Sequence, residues 1–243
     1  MEAVKQGSPS VALRSSTHAV LLAIKRSQAE LAAYQKKIFK VDDHIGIAIA
    51  GLTSDARVLS TIMRNQAIKS KLVYDRQLPV QRIVAEISDR AQRNTQLYGG
   101  RPYGVGLLVA GVDENGAHIY EFSPSGNYFE YVAMAIGARA QSAKTYLEKQ
   151  FEAFENASVD ELVLHGLRAL RDTLQQDKKL DMNNTSIAII GVNQPFSFVE
   201  GAELEGYLQE LEKDPKPLRR PAAAQDQEMV PAEGEQQAPM DVE

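Results

Sequence analysis

Residues 104–122, GVGLLVAGVDENGAHIYEF, indicate the fold more clearly than any other stretch of this sequence. Residues 104–112 are apolar or glycine at every position, and His118–Phe122 forms a second short run. Continuous apolar runs of this length are typical of strands that are buried on both faces. The four residues Asp113-Glu114-Asn115-Gly116 form a connection of hairpin length and hairpin composition. This stretch therefore predicts two antiparallel strands whose faces are covered.

Similar apolar runs elsewhere predict further strands of the same kind. They are Ser10–Arg14, Ala19–Ile24, Ile45–Ala50 and Ser186–Val192. The first two are joined by a short connection that includes Ser15-Ser16, which again favours a hairpin. Antiparallel strands with two covered faces predict stacked sheets with helices outside them.

The helices of this sequence are predicted by apolar residues at helical spacing and by capping residues. The strongest signal is the capping box Ser158-x-x-Glu161, which precedes a stripe of leucine and valine. The other predicted helices run from a cap at Thr53 or Ser54 to about Tyr74, from a first turn at Pro79, over Ala138–Phe154, and over Glu203–Lys213.

Composition and charge limit the classes of function. The chain has 243 residues, a net charge of −5 and no cysteine, which excludes a disulfide framework, a thiolate metal site and a cysteine nucleophile. From Pro221 to Glu243 there are six acidic residues and no basic one, so residues 1–220 carry a net charge of +1. A nearly neutral body lacks the basic stripe that binding to nucleic acid or to an anionic membrane needs.

The chain is expected to have one folded domain and a tail. Residues 214–243 hold five of the ten prolines and contain no aromatic residue and no isoleucine. Such a segment buries too little apolar surface to offset the entropy cost of ordering it. We therefore predict a folded domain over 1–213 and a disordered, proline-rich, acidic tail over 214–243.

No residue pattern predicts a metal or cofactor site. The four histidines, His18, His44, His118 and His165, are far apart, and Asp42-Asp43-His44 is better explained as a tight turn between strands. The glycines between Gly99 and Gly106 do not match a phosphate loop, because a strand is predicted after them instead of a helix.

Ser8 is the one candidate nucleophile that the residues leave open. The pair Gly7-Ser8 could be a self-cleavage site, and Ser8 would then be an N-terminal nucleophile whose own α-amino group accepts its proton. Pro9 is unusual directly after such a nucleophile. A hydrolase that uses Ser8 after self-cleavage is still retained as the alternative function, because Ser8 follows a glycine as such a nucleophile would.

Several stretches resemble the alpha subunits of the proteasome core particle. They are residues 1–8 (MEAVKQGS), residues 37–46 (KIFKVDDHIG), residues 51–57 (GLTSDAR), residues 101–106 (RPYGVG) and residues 135–138 (AIGA). They occur in the order of the family and span most of residues 1–200. Residues 32–37, residues 127–129 and the acidic tail favour one particular alpha type within the set.

The resemblance implies an α+β fold, a four-layer αββα sandwich of two antiparallel sheets flanked by helices, like that of N-terminal-nucleophile hydrolases. It also implies partners: other alpha subunits in a heteroheptameric ring, beta subunits, and the C-terminal tails of regulatory caps. A role in gating the substrate channel and a location in cytoplasm and nucleus follow from the same resemblance. Neither a cofactor nor a metal is implied.

By the same resemblance the chain is not an enzyme, because the threonine nucleophile belongs to the beta subunits. Their acidic partner falls at about Lys25 here, and a base at that place would not support the proton transfer. The alpha subunits instead bind activator tails, and the matching positions are Gly7, Lys37 and Leu52. An ammonium group suits a terminal carboxylate. The alternative for Lys37 is a solvated lysine ahead of a strand.

The resemblance departs from the family pattern at the N-terminus. The family carries further residues before this point, with a Tyr-Asp pair and a Ser-Pro-x-Gly-Arg stretch that form the gate. Met1 resembles an internal methionine of that signature. The gate segment is therefore expected to be missing from this chain, together with the part of the tail pocket that it completes.

Overall fold

A computed structural model of the chain describes residues 2–27, 31–175 and 178–214. Within these residues the protein consists of two five-stranded sheets and the helices that cover them. The strands are β1 (Ser10–Arg14), β2 (His18–Ile24), β3 (Ile38–Asp42), β4 (Ile45–Gly51), β5 (Val105–Asp113), β6 (Gly116–Phe122), β7 (Tyr128–Glu130), β8 (Ala133–Ile136), β9 (Thr185–Gly191) and β10 (Gln194–Val199).

The strand order is β10-β9-β2-β1-β8 in one sheet and β3-β4-β5-β6-β7 in the other. All of these neighbours pair antiparallel. The two predicted hairpins are confirmed, since β1 pairs with β2 and β5 pairs with β6. Asp43 and His44 form the predicted turn, which joins β3 to β4.

The helices are α1 (Glu2–Gln6), α2 (Thr53–Tyr74), α3 (Val80–Gln96), α4 (Ala140–Phe154), α5 (Val159–Asp172) and α6 (Ala202–Lys213). Helices α2 and α3 pack on the sheet that contains β4, and α4 and α5 pack on the sheet that contains β1. This arrangement confirms the predicted four-layer αββα sandwich.

The alternation of residues along the strands explains why the layers stack. In β1, Val11 and Leu13 point toward the helices, while Ala12 points toward the other sheet. The cluster between the sheets is rich in alanine, as Ala48 and Ala110 illustrate. Small side chains there let the two sheets pack closely, and larger side chains fill the outer layers.

Two details of the sequence prediction are wrong. Neither Thr53 nor Ser54 caps α2, because the N-cap residue is Leu52 and no side chain caps the helix there. The third helix begins at Ala140, two residues later than predicted, after Arg139 in the left-handed conformation. By contrast, the capping box of Ser158 and Glu161 at α5 is confirmed.

Three strands, β7, β8 and β10, are missing from the sequence prediction, and β3 is predicted only as the strand before the turn at Asp42-Asp43-His44. They are short or interrupted: β7 has three residues, and β10 contains Pro195, which fits the edge position that this strand occupies. The proposed tail lies almost entirely outside the described residues, which end at Asp214, so the division into 1–213 and 214–243 stays a prediction. In the described residues no helix is long and apolar enough to cross a membrane.

Candidate functional site

The end of strand β4 brings together the three residues that the resemblance assigns to a tail pocket. Gly7 packs on the backbone of Ala50 and Gly51. The carbonyl of Lys37 accepts a hydrogen bond of 3.0 Å from the backbone N–H of Ile49. Leu52 directly follows β4. Residues that are far apart in the sequence are thus gathered around three consecutive residues of one strand.

Gly7 is required by a close approach of two backbones. A Cβ atom at this position would lie 2.3 Å from the nitrogen of Gly51 and 2.9 Å from the carbonyl carbon of Ala50. The carbonyl of Gly7 also accepts a hydrogen bond of 2.7 Å from the N–H of Ala138. Gly7 therefore fixes the end of α1 against β4 on one side and against Ala138, two residues before α4, on the other.

Lys37 is a buried cation, so the alternative of a solvated lysine is wrong. Its relative exposure is 4%. Burial lowers the pKa of its ammonium group, and the positive charge of Arg26 lowers that pKa further. Across the described ranges, no carboxylate lies within ion-pair distance of this ammonium group. A cation in this situation is stabilised by an incoming anion.

Leu52 directly follows β4 and provides a partly exposed apolar side chain. It is 46% exposed, and its backbone N–H donates a hydrogen bond of 2.9 Å to the carbonyl of Gly104. The stretch Arg101-Pro102-Tyr103-Gly104 therefore lies against the N-cap residue of α2. This contact gives the family motif a structural reason.

Asp55 is a residue of this region that the sequence analysis did not assign. Its carboxylate accepts two hydrogen bonds from the Arg101 guanidinium, at 2.7 and 2.8 Å, and one of 2.8 Å from the N–H of Gly104. The bonds from Arg101 are the main cause of the lowered pKa of Asp55. Asp55 is the one acidic residue in the first turn of α2, which is a favourable place for a carboxylate. That position was the available signal, but the pairing with Arg101 spans 46 residues of sequence.

Ser8 is unsuited to act as a nucleophile in this structure. Its side chain is 2% exposed, and its hydroxyl makes no hydrogen bond.

The cleft beside Pro9 is dominated by positive charge. It has a volume of about 640 Å³ and is lined by one carboxylate, Asp181, and by the cations Lys25, Arg26, Arg139, Lys178 and Lys179. Burial lowers the pKa of Lys25, although Glu200 and Asp181 oppose this shift. Among the described residues Ser8 does not line this cleft, so the cleft does not place its charged groups around the Ser8 hydroxyl.

The histidines take part in separate local contacts. The ring of His44 bonds the carbonyl of Leu78 at 2.8 Å, and that of His165 bonds the Tyr146 hydroxyl at 2.9 Å. His118 lies between the carboxylates of Glu130 and Asp113, at 2.7 and 3.1 Å. In the described part of the chain, no three acidic or histidine side chains are grouped so as to hold a metal ion.

Comparison with known proteins gives a consistent result. A family model described as "Proteasome subunit" matches residues 4–190. The chain is 55% identical to "Proteasome subunit alpha type-1" of Dictyostelium discoideum over 215 residues, which are 88% of this chain and 87% of that protein. It is 51% identical to "Proteasome subunit alpha type-6" of Saccharomyces cerevisiae over 210 residues, 86% of this chain and 89% of that protein.

A third relative extends the match along the chain. The chain is 48% identical to "Probable proteasome subunit alpha type-6" of Schizosaccharomyces pombe over 232 residues, which are 95% of this chain and 85% of that protein.

Proposed function

Because this chain belongs to the proteasome subunit family, we propose that the surface formed by Gly7, Lys37 and Leu52 receives the C-terminal tails of regulatory caps. The chain is a non-catalytic alpha-ring subunit of the proteasome core particle, and catalysis lies in the beta subunits. Its function in proteolysis is therefore carried by its surfaces, not by a reacting group of its own.

The observation that carries the proposal is the state of Lys37. The side chain is 4% exposed and has a lowered pKa, and no carboxylate of the described residues pairs with it. A terminal carboxylate that bonds to this ammonium group would supply the missing counter-charge. Hydrogen bonds between charged partners contribute more than neutral ones, about 1.5–3 kcal/mol each.

Gly7 and Leu52 fit the other parts of an extended tail. Gly7 is partly exposed and lies against Gly51, the residue before Leu52, so a tail seated on Leu52 would pass close to it. The half-exposed side chain of Leu52 offers an apolar wall to the last side chains of the tail. This combination of a carboxylate site with an apolar wall is a common way to bind a chain terminus.

The alpha types of the relatives support the finer assignment of partners. Relatives named alpha type-1 and alpha type-6 support a place at the sixth position of a heteroheptameric alpha ring, next to other alpha subunits and above a ring of beta subunits. In that place the chain contributes to ring assembly and to the docking of caps during ubiquitin-dependent protein degradation. It takes part in substrate-channel gating as a member of the ring, since its own gate segment is expected to be missing. Such a complex is expected in cytoplasm and nucleus.

A peptide-binding experiment on assembled core particles tests the pocket. The probe is a C-terminal peptide of a proteasome activator that carries a photoreactive group, and the readout is the yield of its cross-link to this chain as the peptide is titrated. We expect Lys37→Ala to weaken the apparent affinity about 10- to 100-fold, from the loss of one charged hydrogen bond. Lys36→Ala is the matched control, because Lys36 is exposed and adjacent.

The form of the peptide terminus sharpens the test. An amidated peptide should bind wild-type particles as weakly as the free-acid peptide binds Lys37→Ala particles. Particles of normal size must form in each case, as judged by gel filtration. Equal affinity for wild-type and Lys37→Ala particles would reject the pocket assignment.

A further inference from the structure

Gly104 is tied to the beginning of α2 through both of its backbone polar groups. Its N–H donates a hydrogen bond of 2.8 Å to Oδ2 of Asp55, and its carbonyl accepts one of 2.9 Å from the N–H of Leu52. Two bonds of opposite direction fix both the position and the orientation of this peptide. These bonds therefore hold the loop that contains Gly104 against the first turn of α2.

Arg101 holds the carboxylate on which this contact depends. Its Nη1 and Nη2 atoms donate to the two oxygens of Asp55, so the pair is bidentate. Nη1 also donates to the carbonyl of Pro102 at 3.0 Å, which folds the guanidinium back onto its own loop. Because Asp55 is buried and the Arg101 side chain is mostly exposed, the arginine covers the Asp55 carboxylate on its solvent side.

The side chain of Leu52 occupies the space that the missing side chain of Gly104 leaves. A Cβ atom at Gly104 would lie 2.6 Å from Cδ1 and 3.0 Å from Cγ of Leu52. Gly104 is not among the glycines with positive φ, so an alanine at this position would cause no backbone strain. The glycine is needed for the place of Leu52, not for an unusual backbone conformation.

We propose that Gly104, held by Asp55 and Arg101, is a positioning residue that sets the place of Leu52 in the tail pocket and thereby the affinity for activator tails. The proposal rests on the proposed function of Lys37 and Leu52. Gly104 acts through Leu52 and does not itself need to touch the tail.

The variant Gly104→Ala tests this proposal. Ordinary contacts of a Cβ atom begin at 3.4 Å, so Cδ1 of Leu52 must move by about 1 Å from its present 2.6 Å. A misplaced apolar contact of this size is expected to lower the peptide affinity on the order of tenfold. Gly206→Ala is the control, because a Cβ atom there meets no atom within 4 Å.

A double-mutant cycle separates positioning from general damage. If Gly104 acts through Leu52, then Gly104→Ala causes a loss of affinity in wild-type particles and no further loss in Leu52→Ala particles. An equal loss in both backgrounds, or unchanged affinity in wild-type particles, would overturn the proposal. Lys37→Ala in the same assay reports on the pocket itself: if it has no effect, the proposed function fails, and if only Gly104→Ala has no effect, the positioning role alone fails.

Arg101→Lys provides a second route if particles with Gly104→Ala do not assemble. Lysine keeps the charge but cannot make two parallel hydrogen bonds to Asp55. Since Arg101 is mostly exposed, the fold should tolerate this change. A loss of affinity that disappears in the Leu52→Ala background supports the proposal, and an affinity within a factor of two of wild type contradicts it.

Discussion

The approach of Gly7 to the end of β4 makes the replacement of Gly7 by alanine a severe local test. The new Cβ atom would lie 2.3 Å from the nitrogen of Gly51, although ordinary contacts begin at 3.4 Å. The two segments must therefore separate by about 1 Å, because the nearest atoms are backbone atoms that cannot rotate away. Overpacking of this kind costs about 1–3 kcal/mol.

The same movement would strain a hydrogen bond of the site. The carbonyl of Gly7 accepts from Ala138 at 2.7 Å, and loss of this bond would add about 1 kcal/mol. We expect a combined local cost of about 2–4 kcal/mol, which corresponds to a rise in local opening of roughly 30- to 1000-fold. Helix α1 has no fully buried residue, and only Val4 packs against the core between the sheets, so little apolar surface opposes this opening.

Hydrogen exchange measured by mass spectrometry on assembled particles detects this opening directly. Peptides that cover residues 2–8 and Ala138 should exchange faster in Gly7→Ala particles, and the tail affinity should fall with them. Gly206→Ala should leave both unchanged. Unaltered exchange at residues 2–8 together with unaltered tail affinity would refute the argument from close approach.

Three further outcomes follow from individual residues. Ser158→Ala removes the capping box with Glu161 and should lower the stability of the subunit by about 1 kcal/mol, as measured by chemical denaturation. The pKa of His165 is lowered below 6.5, mainly by burial and then by the charge of Arg168. As the pH falls, His165 is therefore protonated in the unfolded chain before it is protonated in the folded one, and the free energy of unfolding should decrease below about pH 6.5. His165→Gln should reduce this acid-side slope, and an identical slope would contradict the assignment. The pKa of Lys37 is also lowered, and a bound carboxylate raises it, so tail binding at alkaline pH should take up protons and weaken as the pH rises. Calorimetry in buffers of different ionisation enthalpy should show this uptake in wild-type particles but not in Lys37→Arg particles.

The layered fold could be predicted because its central strands are continuous apolar runs. Strand β5 is buried at every position before Asp113, and its hairpin with β6 has a typical turn. The short edge strands β7 and β10 could not be predicted in the same way, since they are partly exposed and depend on pairing with a neighbour. Their sequences carry too little periodicity to distinguish them from loops.

The tail site could be predicted only by resemblance, because no local pattern connects its residues. Gly7, Lys37 and Leu52 become neighbours through β4, which the sequence spacing does not reveal. The burial of Lys37 and the bond between Asp55 and Arg101 likewise depend on tertiary contacts. A lysine ahead of a strand is usually exposed, so only the fold distinguishes this one.

The most direct measurement is a structure of the core particle with a bound activator tail peptide, determined by electron cryomicroscopy. We expect the terminal carboxylate to lie about 2.7–2.9 Å from Nζ of Lys37 and the last side chains of the peptide to contact Leu52. A carboxylate of the ring bonded to Lys37, with the peptide terminus seated elsewhere on this chain, would contradict this expectation.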